Sequence, residues 1–254
     1  MDIRVLGCSG GIGGSLRTTS FLLDEDVLLD AGSGVGALTL DEMRKIRHIV
    51  LSHSHLDHIL AIPLLIDSIF EHIKTPIEIH ALPETIQALQ QHIFNNTIWP
   101  DFTRLPRPES PVLRFRPLQA GELLELGQRR FEMIPVNHVV PTVGYRISTP
   151  DGVFAFSGDT TTNDSFWAAL NAGPSLDLLI VEAAFPDSEL ELCRRAKHYC
   201  PSLLAEDLVK LQHRPQIWLT HAKPGAEERI YAEVRQLLGE YNIDHLTGSE
   251  RFTV

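Results

Sequence analysis

The stretch His53-Ser54-His55-Leu56-Asp57-His58 places three imidazoles and one carboxylate within six residues. It follows the apolar run 48–52, which predicts a buried strand. Four such side chains cannot lie on one face of a strand or a helix, so an irregular turn is expected at the carboxyl end of that strand, where ligands bind in α/β proteins. His53 and His55 can then point at one centre while Asp57 and His58 turn toward a second. The alternative is a polar turn whose histidines are merely solvated.

Three further residues of metal-binding type each close an apolar run that predicts a strand. These are His138, Asp159 and His221. Any one of them alone could be a surface loop residue, but their joint placement favours a shared site with the first stretch. Together the two sets supply seven candidate ligands, which predicts a two-metal centre.

The order of these motifs resembles that of the metallo-β-lactamase fold hydrolases. The resemblance runs from Asp2 to about Thr247 and includes the turn Ser157-Gly158-Asp159-Thr160. It implies an α/β fold, a four-layer αββα sandwich with the metals at one edge of two sheets. It also implies a first metal held by His53, His55 and His138, a second held by Asp57, His58 and His221, and a bridging Asp159.

Within that superfamily the chain is most similar to the class II 3′,5′-cyclic-nucleotide phosphodiesterases. The similarity lies in four stretches: 55–59, 92–100, 198–201 and 220–224. The second of these, with its Phe-Asn and Trp-Pro pairs, is the most discriminating. Ala61 stands where that class usually has glycine, and Tyr199 where it usually has leucine. These two differences leave the exact form of the substrate pocket undetermined by the sequence.

The 254 residues, 43% of them hydrophobic, are expected to form one domain spanning 1–254. The apolar stretch 59–73 predicts one helix, and the proline-rich segment 99–111 predicts a loop. Five strands between Val112 and Phe156 are expected to form the meander of a second sheet. The glycine-rich loop 7–14 lacks the lysine of a phosphate-binding loop and is interpreted as a tight connection near the site.

Charge and composition limit the partners. A net charge of −11 argues against a nucleic-acid-binding surface, whereas a small phosphodiester could be drawn by the local field of the metals. Three cysteines without zinc-finger spacing, no signal peptide and no run near the ~20 residues of a membrane span predict a cytoplasmic protein. The pattern leaves open whether the chain is a monomer or a homodimer.

The donor set of imidazole and carboxylate without thiolate suits zinc first, with manganese or iron as alternatives. A water bridging two such ions is acidic enough to attack as hydroxide near neutral pH. Asp57, one of the candidate ligands, is also counted among the catalytic residues. Phosphodiester hydrolysis is the natural reaction, although acyl groups could use the same nucleophile.

Two other residues favour a phosphodiester over an acyl group as the substrate. Glu182 ends an apolar run and His198 follows sixteen residues later, in positions that resemble the Glu and His of tRNA-processing ribonucleases of this fold. The histidine of their His-Glu-Ala-Thr motif is replaced here by Val181. The pair could still place a proton donor beside the leaving oxygen, or could simply support the metal shell.

The substrate contacts are the least determined part of the sequence. Lys223 could hold a phosphate oxygen as a point charge, or be a solvated loop lysine. Phe94, Trp99 or Phe102 could stack on a purine ring, or belong to the core. The segment 99–111 could be a lid or a contact with a second subunit.

Two other functions remain open from sequence. One is a different phosphodiesterase, acting on RNA 3′ ends or on small phosphonates. The charge of −11 and the lack of a long Gly- and Pro-rich arm count against the RNA substrate. The other is a non-catalytic di-iron sensor, against which His55 counts because a carboxylate at that position would have favoured it.

Overall fold

The computed structural model describes residues 1–254 and contains two seven-stranded sheets. The first sheet has the order β16-β1-β2-β3-β4-β5-β8. Its strands are β1 (Asp2–Gly7), β2 (Ser20–Leu23), β3 (Val27–Leu29), β4 (His48–Val50), β5 (Ile77–Ala81), β8 (Leu113–Pro117) and β16 (Arg251–Thr253). The hairpin β2–β3 is antiparallel, and β3, β4, β5 and β8 are parallel to one another, so their carboxyl ends meet at one edge.

The second sheet has the order β15-β14-β13-β12-β11-β10-β9. Its strands are β9 (Leu123–Leu126), β10 (Arg129–Pro135), β11 (Val143–Ser148), β12 (Val153–Phe156), β13 (Leu178–Glu182), β14 (Gln216–Thr220) and β15 (Ile243–His245). Strands β12 to β15 are parallel, whereas β9 to β12 form an antiparallel meander. Two of these parallel strands, β12 and β14, end shortly before Asp159 and His221, as β4 of the first sheet ends shortly before His53.

Eight α-helices accompany the sheets. They are α1 (Leu40–Met43), α2 (Leu56–Ile59), α3 (Ile62–Ser68), α4 (Pro83–Ala88), α5 (Ser165–Ala172), α6 (Leu190–Ala196), α7 (Pro201–Leu208) and α8 (Glu227–Leu237). None of them is both long enough and apolar enough to cross a lipid bilayer.

Three hydrophobic clusters hold these layers together. A cluster of 19 buried residues draws on both sheets, while clusters of 24 and 26 buried residues include side chains of α3 and α4 and of α5, α7 and α8, respectively. Strand alternation explains the division, because successive side chains of one strand enter different clusters. In β4, for example, Ile49 joins the helix-side cluster and Val50 the cluster between the sheets. The predicted four-layer αββα sandwich is confirmed.

Several local predictions were wrong. The first strand of the expected meander, β8, pairs with β5 in the first sheet instead. The expected helix over 59–73 is interrupted, because the amide of Ala61 donates to Ala31 rather than to the preceding turn. Pro63 then lies in the first turn of α3, where its missing N–H costs nothing.

The proline-rich segment is also more ordered than predicted. It contains a two-stranded ribbon, β6 (Pro106–Arg107) and β7 (Ser110–Pro111), paired across a short turn. The strands β15 and β16 were missed, since each is only three residues long and carries polar side chains. Such short edge strands leave little periodicity to detect.

The Tyr145 hydroxyl links the two sheets. It lies fully buried on β11 and donates to the carbonyl of Leu51, beyond β4, at 2.7 Å. Tyr145→Phe should lower the free energy of unfolding by about 1–3 kcal/mol, because the buried carbonyl loses its partner. Urea denaturation measures the change, with Tyr241→Phe at a partly exposed position as the control. Equal midpoints for Tyr145→Phe and the parent protein would contradict this expectation.

Candidate metal centre

The turn after β4 explains how one short stretch can face two centres. The chain stays extended through His55, which caps α2 with φ −65° and ψ 147°. Asp57 and His58 then lie in the first turn of α2 and so leave the strand direction. Since alternate residues of extended chain share a face, His53 and His55 point together, and helical rotation carries the next two side chains elsewhere.

The structure brings all seven predicted ligand residues into two adjoining groups. The first group is His53, His55, His138 and Asp159. The second group is Asp57, His58, Asp159 and His221. Within each group the candidate ligand atoms lie within 4.8 Å of one another, and Asp159 belongs to both. This is the arrangement that a bridging carboxylate between two ions requires.

Three buried imidazoles of these groups each have one ring nitrogen without a hydrogen-bond partner. The Nε2 atoms of His53, His58 and His221 are buried and form no hydrogen bond. They lie 3.7, 3.3 and 3.2 Å, respectively, from carboxylate oxygens of Asp159. Unpaired buried polar atoms are costly, so several of them converging on one carboxylate fit the binding of a cation. The residues therefore suit divalent metal ions, and nitrogen with oxygen donors is a set that zinc, manganese and iron accept.

The electrostatics of the site agree with this fit. Burial lowers the pKa of His53 and of His221 well below the ordinary value, so both rings are neutral, the form that binds a metal. Burial alone would raise the pKa of Asp159, but His221, His58 and His53 hold it well below its usual range. Burial would also lower the pKa of His58, but the charges of Asp159 and Asp30 raise it well above the ordinary value. The centre thus presents two neutral imidazoles, His53 and His221, beside an ionised carboxylate and a His58 ring that must lose its proton to bind a metal.

Sequence reasoning missed Asp30, which orients one of these rings. Asp30 is fully buried and accepts hydrogen bonds from His58 Nδ1 at 2.7 Å and from the amide and hydroxyl of Ser52 at 2.8 and 2.7 Å. The bond to Nδ1 directs Nε2 of His58 toward Asp159. His138 is fixed in the same way, with Nδ1 2.9 Å from the carbonyl of Lys197.

Replacing Asp30 should weaken metal binding without removing a ligand. For Asp30→Asn we expect the affinity of the second group for zinc to fall about 10- to 100-fold, because the amide no longer stabilises the orientation and basicity of His58. Competition with a chromophoric chelator measures this affinity. Asp41→Asn is the control, since the Asp41 side chain is 85% exposed. Identical zinc affinities for the two variants would contradict the role given to Asp30.

The Glu182–His198 pair lies beside the candidate metal centre. Glu182 Oε1 is 2.8 Å from His198 Nδ1 and also accepts the amide of Thr160 at 2.7 Å. The His198 ring stacks on His221 at 5.3 Å between centroids and meets His138 edge-on at 4.9 Å. Burial would lower the pKa of His198, but the charge and hydrogen bond of Glu182 raise it above the ordinary value. The structure thus places a proton-holding imidazole next to both groups of ligands.

The glycine-rich loop packs directly against His221. The amide of Gly10 donates to Ala222, and a Cβ on Gly10 would lie 2.4 Å from the carbonyl oxygen of His221. This close approach supports the interpretation as a tight connection. Lys223 donates from Nζ to the carbonyl of Gly10 at 2.9 Å, so its ammonium is held by the same loop.

The three aromatic candidates lie in or against the core. Phe94 and Phe102 are 3% and 2% exposed, and their ring centroids are 5.9 Å apart. Trp99 is partly buried against the same hydrophobic cluster. This burial argues against stacking of Phe94 on a substrate, because neither ring face is free, and it favours the core interpretation.

Comparison with known proteins identifies the family and the fold. The model of a family described as "Beta-lactamase superfamily domain" matches residues 25–222. A probable 3′,5′-cyclic-nucleotide phosphodiesterase of Yersinia pestis is 27% identical, over 93% of this chain and 82% of that protein. A ribonuclease Z of Thermobifida fusca is 25% identical, over 78% of this chain and 76% of that protein. The crystal structure of unliganded yeast PDE1 superposes with a TM-score of 0.83 at 20% identity, over 99% of both chains, a likeness of fold.

Proposed function

Because the chain belongs to the β-lactamase superfamily and is a hydrolase of that fold, we propose that it hydrolyses 3′,5′-cyclic nucleotides to 5′-monophosphates with two divalent metal ions. The observation that carries this proposal is the pair of ligand groups sharing Asp159, with His198 beside them. A cation held by one group would lie near the attacking water, and a cation held by the other group would help to neutralise the negative charge of the phosphodiester. The His198 imidazole, buried with 8% of its side chain exposed, is then at hand for the leaving oxygen.

The proposed ligands divide between the ions as the two groups do. His53, His55 and His138 would hold one ion, Asp57, His58 and His221 the other, and Asp159 would bridge them. Zinc is the metal we propose, with manganese and iron as the alternatives to test. When bound, two such ions supply a nucleophile from water near neutral pH and stabilise the charge that develops on a phosphoryl group.

The remaining chemistry belongs to the chain. His198, held by Glu182, keeps a proton that it can give to the departing 3′ oxygen. Asp57 is included among the proposed catalytic residues because its side chain is 27% exposed and can meet a substrate from solvent. Lys223 remains a proposed phosphate contact only if its ammonium leaves the carbonyl of Gly10.

A second candidate function is RNA 3′-end cleavage. The Glu182–His198 pair and the ribonuclease Z relative favour it, because the pair resembles that of tRNA-processing ribonucleases. The net charge of −11 opposes it, since a long polyanion would be repelled by the surface as a whole. A small phosphodiester substrate therefore remains the better proposal.

Turnover of defined substrates tests the two functions together. Protein loaded with zinc or manganese would be given cyclic AMP, cyclic GMP, 2′,3′-cyclic AMP and a tRNA precursor with a 3′ trailer, followed by chromatography. We expect release of 5′-monophosphate, which His55→Ala abolishes and His72→Ala, at an exposed position, preserves. Trailer release without cyclic-nucleotide turnover would replace the first proposal by the second. No turnover by the loaded protein, combined with the visible absorption of an oxo-bridged iron pair in protein loaded with iron, would indicate a sensor.

A further inference from the structure

A second cluster of metal-binding residues lies away from the proposed catalytic site. His48 begins β4, and Glu78 and His80 lie on the neighbouring strand β5. The register pairs His48 with Glu78 and Val50 with His80. His48 precedes His53 by five residues, or about 16 Å of extended chain, so the cluster lies toward the other end of the strand.

All three side chains project from the same face of the sheet. In β4 and β5 the intervening residues Ile49 and Ile79 belong to the helix-side cluster, whereas Val50 belongs to the cluster between the sheets. Because side chains alternate along a strand, His48 and His80 share the inward face with Val50. Two parallel strands thus place two imidazoles and a carboxylate together without any loop.

The three candidate ligand atoms have the spacing of a coordination shell. His48 Nδ1 is 3.1 Å from His80 Nε2, and Glu78 Oε2 is 3.8 and 3.9 Å from these two nitrogens. A triangle with these sides has a centre about 2.1 Å from every corner, which is the length of zinc bonds to His nitrogen and to carboxylate oxygen. One ion at that point, or slightly out of the plane, would contact all three atoms.

Hydrogen bonding explains only one side of this triangle. A ring N–H of one histidine can donate to the other across 3.1 Å. The separations of 3.8 and 3.9 Å from Glu78 Oε2 are too long for hydrogen bonds. Arg116 donates from Nε and Nη2 to the other oxygen, Oε1, so the carboxylate is held in place with Oε2 facing the two rings.

We propose that His48, Glu78 and His80 form a third divalent-metal site, for zinc, which cross-links β4 to β5. The His48 and Glu78 side chains are 23% and 24% exposed and His80 is 5% exposed, so water can complete a tetrahedral shell from the solvent side. Burial lowers the pKa of His80 to about 4, so its ring is neutral and free to coordinate near neutral pH. The site is independent of the proposed reaction.

Zinc stoichiometry tests this site without an activity assay. Full-length protein would be stripped with a chelator, reloaded with zinc, desalted and analysed by plasma mass spectrometry. Wild-type protein should retain one more zinc ion per chain than His48→Gln or Glu78→Gln. His72→Gln, which changes an exposed histidine of the same half of the chain, should match the wild type. Equal zinc content in the wild type and in both cluster variants would overturn the proposal.

Anomalous diffraction from wild-type crystals gives a test that needs no variant. Data collected on both sides of the zinc absorption edge should show a peak between His48 Nδ1, His80 Nε2 and Glu78 Oε2. A map with peaks only at the groups sharing Asp159 would reject the third site and leave the proposed function intact. A peak only at the third site would do the reverse.

Discussion

Asp159→Asn is expected to lower the turnover number at least about 1,000-fold and to leave fewer than two ions in the catalytic groups. The Asp159 side chain is 3% exposed, and its carboxylate lies 3.2 Å from His221 Nε2 and 3.3 Å from His58 Nε2. An amide of the same size keeps the packing but removes the negative charge that both groups share. Several kcal/mol of charge stabilisation are lost with it, and each 1.36 kcal/mol is a factor of ten in rate.

The measurement combines steady-state kinetics with metal analysis on one preparation. Asp151→Asn is the matched control, because Asp151 is exposed in the turn between β11 and β12. We expect this control to keep the wild-type rate and metal content. An Asp159→Asn protein with the same number of ions as the wild type and near-normal turnover would show that the two groups do not depend on a bridging carboxylate.

The sequence predicts the ligands of this centre but not the residues that reach it through the pairing of strands. The rule that a ligand follows an apolar run finds Asp159, His138 and His221, because each ends a run of its own. The same rule applies to Asp30, which follows Val27–Leu29, yet the hairpin 20–30 gives no sign that β3 pairs with β4. Only that parallel pairing brings Asp30 beside His58, so its role required the structure.

The misplaced elements have the same physical origin. Strand β8 has an ordinary strand pattern, and its own sequence does not indicate that it pairs with β5 instead of β9. The interrupted helix over 59–73 depends on a hydrogen bond from Ala61 to Ala31, thirty residues earlier. Periodicity reports local conformation, whereas these features are set by contacts between distant segments. The triangle of His48, Glu78 and His80 was missed because two adjacent strands are needed to form it.

His198→Gln is expected to lower the turnover number about 100- to 10,000-fold on a cyclic nucleotide, the usual contribution of a positioned proton donor. The effect should appear in kcat and little in KM, because the ring acts on the leaving oxygen. The content of the two catalytic ions should stay unchanged, since neither His198 nor Glu182 belongs to the ligand groups. A p-nitrophenyl phosphodiester, whose leaving group needs no proton, should retain most of its rate.

The pH profile then separates a proton donor from a structural histidine. Glu182 raises the pKa of His198 above its ordinary value, so the ring is protonated below that raised pKa and activity falls as the pH rises through it. In Glu182→Gln the charge that stabilises the imidazolium is absent, so the alkaline limb should move to lower pH. In His198→Gln that limb should disappear. If both substrates lose rate equally in His198→Gln and the limb keeps its position in Glu182→Gln, the pair only supports the surrounding residues.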